Sequence, residues 1–227
     1  MEAQDELKQK LIAQDDFPWR SATTAPPTSD QEEKALKYVG GVDISYSKEH
    51  PSMACGTLVV LDIHSLQVVY EDYSVLTLSV PYVPGFLAFR EAPVLLELLE
   101  KMKAGANLFY PQLLMVDGNG ILHPRAKLHH VDGLTLSGVR QLLKAKEDCA
   151  EDFINLTGRS GRIWGVAMRS TDGSVKPIFI SIGHRISLDT AIKIVKLTCK
   201  YRVPEPIRQA DIRSREYLRK HQAMIFK

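Results

Sequence analysis

The chain has 227 residues, of which 44% are hydrophobic and 25% charged, and its formal net charge is +2. These are ordinary values for a soluble globular protein with enough apolar material for one sizeable α/β domain, and they exclude compositional extremes such as a low-complexity or fibrous chain. The near-neutral total does not announce a nucleic-acid binder, and no apolar stretch approaches the roughly 18 residues needed to span a bilayer.

The distribution of charge says more than its sum. Residues 1–35 carry eight acids against four bases, whereas residues 193–227 carry ten bases against three acids, so a basic C-terminal lobe is available to a polyanion or as a solvated helix face. The three cysteines, Cys55, Cys149 and Cys199, follow no metal-ligand spacing and point to a reduced, intracellular protein. The opening Met1-Glu2-Ala3-Gln4-Asp5-Glu6 lacks the apolar core of a signal peptide.

In chain order, residues 1–16 predict a short polar helix, and residues 17–30, with Pro18, Pro26, Pro27 and a Ser/Thr cluster, predict a linker. Residues 1–35 are thus an acidic helix and linker ahead of a single domain over 36–221, with 222–227 as a tail. Strands are predicted over Tyr38–Tyr46, Cys55–Ile63 and Gln67–Tyr73, the last two joined by a hairpin at His64-Ser65-Leu66, which makes an antiparallel meander. Pro81-Tyr82-Val83-Pro84-Gly85 is a stiff loop, and Val94–Leu99 has helical apolar spacing with Pro93 in its first turn. A strand over Gln112–Asp117 follows. Further on, Gly138–Ala150 reads as helix, and Arg162–Arg169 with Lys176–Ile182 as a hairpin. Ser187 is placed to cap a helix over Leu188–Tyr201, and after Pro204 and Pro206 a basic helix runs over Ile207–His221. Three antiparallel strands, a helix and a strand ending in Asp form the opening of a ribonuclease-H-like α/β fold, a mixed sheet with flanking helices. The crossover sets Asp117 beside the first strand, and hence near Asp43.

Asp43 and Asp117 each end an apolar strand run beside glycines, in Gly40-Gly41-Val42-Asp43 and Val116-Asp117-Gly118-Asn119-Gly120. A single Asp-Gly is common turn chemistry. Together with Glu91 the set is an all-oxygen constellation suited to Mg²⁺, which takes one or two protein carboxylates and completes its shell with water and phosphate. His184, in Gly183-His184-Arg185 between a strand and a helix, is placed either to act as a base or orient water, or to cap and pack. His129-His130 has no partner at metal-ligand spacing and reads as solvent-exposed. Tyr82, stiffened by Pro81 and Pro84, is a rigid aromatic of the kind that stacks on or wedges beside an unpaired base; the alternative is a loop tyrosine packed on the core.

These segments, with Phe89-Arg90-Glu91, His123-Pro124-Arg125 and Pro204-Glu205-Pro206-Ile207-Arg208-Gln209-Ala210-Asp211, together resemble endonuclease V in order from about Val39 to about Glu216. The tail Arg208–Glu216 resembles the vertebrate branch. The resemblance implies Mg²⁺-dependent (alternatively Mn²⁺-dependent) cleavage at the second phosphodiester 3′ of inosine, leaving 3′-hydroxyl and 5′-phosphate ends. It implies inosine-containing single-stranded RNA, transfer RNA included, as the substrate, with deoxyinosine DNA as a further one. It makes Asp43, Asp117 and Glu91 the metal site, and sets His184 and Asp211 near the catalytic centre. Pro81, Tyr82, Val83, Pro84 and Gly85, with Gly118 and Gly120, become substrate contacts, and Tyr82 the wedge. A monomer in cytoplasm and nucleus or nucleolus, without membrane association, is the matching expectation.

The sequence departs from the family pattern in one place. Family members continue after His-Pro-Arg through a glycine-rich loop, a helix and a strand ending in Gly-Val-Ala-Lys. Here Arg125 is followed at once by Ala126-Lys127-Leu128-His129-His130. A deletion near residues 125–127 is therefore expected, and with it the alternative of a catalytically impaired variant that retains RNA or protein binding.

Overall fold

Strand β1, Tyr38–Tyr46, is the element on which the first sheet is assembled. It pairs antiparallel with β2, Met53–Asp62, in a register from Tyr38↔Asp62 to Tyr46↔Ala54, and β2 pairs antiparallel with β3, Val68–Thr77. On its other edge β1 pairs in parallel with β4, Leu113–Val116, giving the order β3-β2-β1-β4. The mixed sheet and the crossover expected from the sequence are both present. The protein, as a computed structural model, is described over residues 2–19, 35–50, 52–77, 87–118, 135–146, 152–158, 160–171, 174 and 176–225. The Pro81–Gly85 loop, Asn119–Gly120, the His123–Arg125 motif, Lys127 and His129-His130 lie outside these residues.

The chain divides into two compact units. One comprises residues 36–118 and 204–227 and holds the first sheet; the other comprises residues 1–35 and 119–203.

In the first unit β2 is apolar on both faces, as a strand covered by helices on each side must be. Leu58 and Val60 form a buried cluster with Val42 and with Leu98 and Met102 of helix α2, Leu87–Ala104. Val59 and Leu61, on the opposite face, pack with Ala210 of helix α5, Glu205–Ile225. The β2–β3 hairpin is tied by Asp62, whose Oδ1 accepts from the N–H of His64 (3.1 Å) and Ser65 (2.9 Å) and from the Ser65 hydroxyl (3.0 Å). Burial works against the Asp62 charge, but these donors and the nearby His64 outweigh it and hold the carboxyl below its usual range.

Two predicted boundaries are corrected here. Helix α2 begins at Leu87, so Pro93 lies inside it. The ring deletes one backbone donor, but Val94, Leu98 and Met102 are all buried, and this packing carries the helix through the missing bond. Arg90 and Glu91 are consequently helical residues. Helix α5 likewise begins at Glu205, with Pro206 accepted in its first turn, where an N–H has no intrahelical partner.

The second unit repeats the layering on a smaller sheet, β5-β6-β7, made of Phe153–Thr157, Ile163–Met168 and Ile178–Ser181, all antiparallel. Val139 and Leu143 of helix α3, Leu136–Ala145, cover Ile154, Leu156 and Ala167. Ile192 of helix α4, Leu188–Thr198, packs with Val166, Met168 and Ile180 on the other side. Ser187 caps α4 as predicted, its side chain accepting from the Thr190 N–H. Strand β5 was not predicted, although Ile154 and Leu156 alternate with exposed Asn155 and Thr157 in strand fashion. The N-terminal helix α1 is Glu2–Gln9, shorter than the predicted span. Among the described residues no helix is long and apolar enough to cross a membrane.

One contact fixes where α5 lies. A Cβ placed on Gly41 would come within 2.1 Å of the Pro206 carbonyl oxygen, so the helix rests directly on the β1 backbone. Gly41→Ala is expected to lower the unfolding free energy by about 3 kcal/mol, at the upper end for overpacking because backbone must yield; urea denaturation of the two proteins measures it, and a change under about 0.5 kcal/mol would contradict this packing.

Candidate active site

Side chains alternate across a strand, and on β1 the alternation assigns two helices to two faces. Gly41, Asp43 and Ser45 point toward α5, where Pro206 and Ser214 meet them. Val42 and Tyr46 point the other way, toward α2. The C-terminal end of β1 therefore receives polar groups from both helices.

On the α5 side, the Ser214 hydroxyl donates to Asp43 Oδ2 at 3.0 Å. It lies 2.6 Å from the Ser45 hydroxyl, and both serines are buried. A single Ser214 proton cannot serve Asp43 and the Asp211 carbonyl (3.0 Å) together, so Ser45 donating to Ser214 and Ser214 to Asp43 is the arrangement that satisfies the carboxylate. Asp211, one turn before Ser214, is bound by Arg215 at 2.5 Å.

On the α2 side, Tyr46 donates to Glu91 Oε1 at 2.6 Å, and the Arg90 guanidinium lies 5.1 Å from the Tyr46 ring centroid. The buried Arg90 Nε has no hydrogen-bond partner among the described residues. Asp117 enters from β4. The parallel register ends at the pair Val42↔Val116, and Asp43 and Asp117 are the residues that follow it in the two segments. Asp117 is exposed, and its Oδ1 accepts from the Gly118 N–H at 2.8 Å. Gly118 has φ +145°, a conformation that side-chain-bearing residues rarely adopt.

Electrostatics tie the set together. Burial is the largest influence on Asp43 and raises its carboxyl above the usual range; the Ser214 hydroxyl offsets part of this, and the charges of Asp211 and Asp117 push it further up. Glu91 is also raised, chiefly by burial, with Tyr46 and Arg90 pulling down and Asp43 and Asp117 pushing up. Burial and the Glu91 charge raise the Tyr46 phenol in turn. The structure thus brings together Asp43, Glu91, Asp117 and Asp211.

An under-neutralised, all-oxygen cluster of this kind fits a hard divalent cation, with Asp43 and Asp117 as the pair that would hold it. Among the described residues no three His, Cys, Asp or Glu side chains form a ready-made cage. Mg²⁺ does not require one, since water and phosphate complete its shell.

His184 belongs to the other unit. It is exposed, and its Nδ1 accepts from the Ile12 N–H at 3.4 Å. The N-terminal segment also reaches helix α4: Asp15 accepts from the Ser187 N–H (2.6 Å) and the Thr190 hydroxyl (2.7 Å). Burial opposes the Asp15 charge, yet these bonds hold its carboxyl below the usual range.

Sequence reasoning missed Ser45, Tyr46, Ser214 and Arg90. Ser45 follows Asp43 at strand period and Ser214 follows Asp211 at helical period, so each had a local signal. The expected basic lobe is also more neutral than its count. On α5, Arg208 pairs with Glu205, Arg213 with Glu71, Arg215 with Asp211 and Lys220 with Glu216.

Residues 22–128 and 132–212 match the family model described as Endonuclease V. Endonuclease V of Mus musculus is 40% identical over 237 aligned positions, covering 96% of this chain and 68% of the mouse protein. The Homo sapiens protein is 39% identical over the same share of this chain and 81% of its own length. The crystal structure of human ENDOV superposes with a TM-score of 0.80 at 38% identity, covering 97% of each chain. Ciona intestinalis Endonuclease V, in complex with a 23mer DNA containing an inosine followed by a ribo-adenosine, has a TM-score of 0.80 at 32% identity, covering 96% of this chain and 95% of that one. These matches bear out the resemblance and the ribonuclease-H-like fold.

Two stability measurements check this geometry. Ser214→Ala removes the buried donor to Asp43 and is expected to cost about 1–2 kcal/mol by urea unfolding. Asp15→Ala is expected to cost about 1 kcal/mol at neutral pH. A carboxyl lowered in the folded state stabilises above its unfolded value and ceases to as pH falls through the folded one. The gap between wild type and Asp15→Ala should therefore close in acid; a gap independent of pH would contradict the role given to the charge.

Proposed function

The chain belongs to the endonuclease V family, nucleases that hydrolyse phosphodiester bonds, and from that premise we propose that it is a metal-dependent endoribonuclease for inosine-containing single-stranded RNA, transfer RNA included. In this reading it cuts the second phosphodiester 3′ of inosine and leaves 3′-hydroxyl and 5′-phosphate ends. Deoxyinosine DNA is a further substrate, in line with the inosine-containing DNA bound by the Ciona relative. The protein works as a monomer in cytoplasm and in nucleus or nucleolus.

The observation that carries the reading is the parallel pairing of β1 with β4 up to Val42↔Val116, directly after which Asp43 and Asp117 follow in their two segments, close enough for the Asp117 charge to act on Asp43. Asp43 and Asp117 hold the cation, and Glu91 supports the site from α2. By donating to Asp43, Ser214 favours its ionised, ligating form against the effect of burial and holds its orientation. Tyr46 does the same for Glu91. Bound Mg²⁺, or Mn²⁺ in its place, supplies Lewis-acid activation of water and of the phosphate. His184 orients the attacking water or takes its proton, and Tyr82 with its flanking Pro81, Val83, Pro84 and Gly85 wedges beside the inosine, with Gly118 and Gly120 giving the substrate backbone room.

A second reading is favoured by one observation. The alignments with the mouse and human proteins run over 237 positions, more than the 227 residues of this chain, so those relatives carry positions with no counterpart here. A chain lacking the segment after Arg125 would bind inosine RNA without turning it over.

Matched RNAs containing inosine or adenosine at one position, incubated with protein and Mg²⁺ or with EDTA, separate the readings. Cutting of the inosine strand alone, lost in EDTA and reduced at least about 100-fold by Asp43→Ala, is the expected result. Selective binding of inosine RNA with no cutting selects the second reading, and equal behaviour toward both strands rejects both.

A further inference from the structure

The N-terminal segment before the family match, which begins at residue 22, is engaged with the motif that carries His184. Arg185 sits in the left-handed region at φ +60°, a conformation that non-glycine residues adopt only at a cost. Its backbone is bracketed on both sides: the Arg185 N–H donates to the Ile12 carbonyl at 2.7 Å, and the Asp16 N–H donates to the Arg185 carbonyl at 3.2 Å. Asp16 Oδ2 also receives the Arg185 Nε–H at 3.0 Å, and one residue earlier the Ile12 N–H donates to His184 Nδ1. Asp15 pins the same segment to the Ser187 N–H and to the buried Thr190 at the start of α4. Every residue from His184 to Ser187 except Ile186 therefore makes a hydrogen bond to residues 12–16.

We propose that residues 12–16 form a positioning strap for the nuclease reaction, with Asp15 and Asp16 as positioning residues that lock the Gly183–Ser187 turn and fix which ring nitrogen of His184 carries its proton. The inference rests on the assignment of His184 to the reaction given above. An acceptor role for Nδ1 leaves the hydrogen of the neutral ring on Nε2, which makes the outward nitrogen a donor of fixed direction. An exposed Asp–Arg pair alone holds little. Here the side-chain pair, the two backbone bonds and the Asp15 anchor act on the same turn, so loosening any of them frees the ring. The strap uses acids from the region where the sequence concentrates them, and it gives Asp15 and Asp16 a task that solvation alone would not.

The test compares wild type, Asp15→Ala/Asp16→Ala and the isosteric Asp15→Asn/Asp16→Asn, which keeps an oxygen acceptor at each position. The histidine ring nitrogens are read by ¹⁵N NMR at about pH 8, above the ordinary imidazole range, with His184 assigned by its loss in His184→Gln. The expected result is a fixed Nε2–H form in wild type and the asparagine variant, and averaged ring shifts in the alanine variant. The kcat on inosine RNA should fall about 10- to 100-fold in the alanine variant with KM within twofold of wild type, and recover in the asparagine variant. Ring shifts in the alanine variant indistinguishable from wild type, or an unchanged kcat, overturn the strap. If wild type cuts no inosine RNA, the functional reading fails by itself and the ring shifts alone decide the strap.

Discussion

Carboxylates gathered at one end of a sheet repel each other, and the first unit has to hold them together against that repulsion. Asp43 and Glu91 both bind protons more tightly than an isolated carboxyl would, through burial first and then through their acidic neighbours. The opposing force comes from apolar packing one or two turns away. Leu98 and Met102 fasten α2 to Leu58 and Val60, and Ala210 fastens α5 to Val59 and Leu61. Because β2 is buried on both faces, each helix is anchored independently, and the polar ends of both converge on β1 as a consequence. Gly41 is what permits the closer of the two approaches. A cation between Asp43 and Asp117 would relieve the repulsion, so metal binding and folding of this unit favour one another.

Much of this was legible in the sequence because it is encoded locally. The bounds of β1 agree residue for residue with the predicted Tyr38–Tyr46. The adjacency of Asp43 and Asp117 followed from chain order and the rules of crossover connections. What was not legible came from partners distant in sequence. Ser214 reaches Asp43 across 171 positions, and Asp15 reaches Thr190 across 175. No spacing rule addresses such pairs; only the assembled layers bring them into contact. Pro93 misled for a related reason: its local cost is real, but buried Val94, Leu98 and Met102 override it. Strand β5 is a different case, since the alternation of Ile154 and Leu156 was there to be read.

The histidine motif shows how one short sequence can carry two kinds of information. Gly183-His184-Arg185 suggests chemistry by its residue types. Its observed partners are structural: Ile12 and Asp16 hold the turn, and Asp15 reinforces the cap that Ser187 already provides for α4. A charged side chain at a helix N-terminus complements the helix dipole, and here it arrives from the far end of the chain. Local capping and long-range tethering are therefore superposed on two residues at the cap and first turn of the helix, Ser187 and Thr190.

Strand β4 has a consequence for how the site behaves in time. Among the described residues it is only four long and pairs with β1 alone, at one edge of the sheet, and Val116 is 64% exposed. Local opening is easiest where few buried contacts and a one-sided ladder hold the backbone. Amide hydrogens of Leu113–Val116 should thus exchange with solvent by fraying, well before those of β2, which open only with the whole unit. Of the two aspartates, Asp43 stands within β1, which is paired on both edges, and Asp117 follows directly on the four-residue edge strand. The pair is accordingly half fixed and half adjustable: one carboxylate defines the position, and the other accommodates to what arrives there.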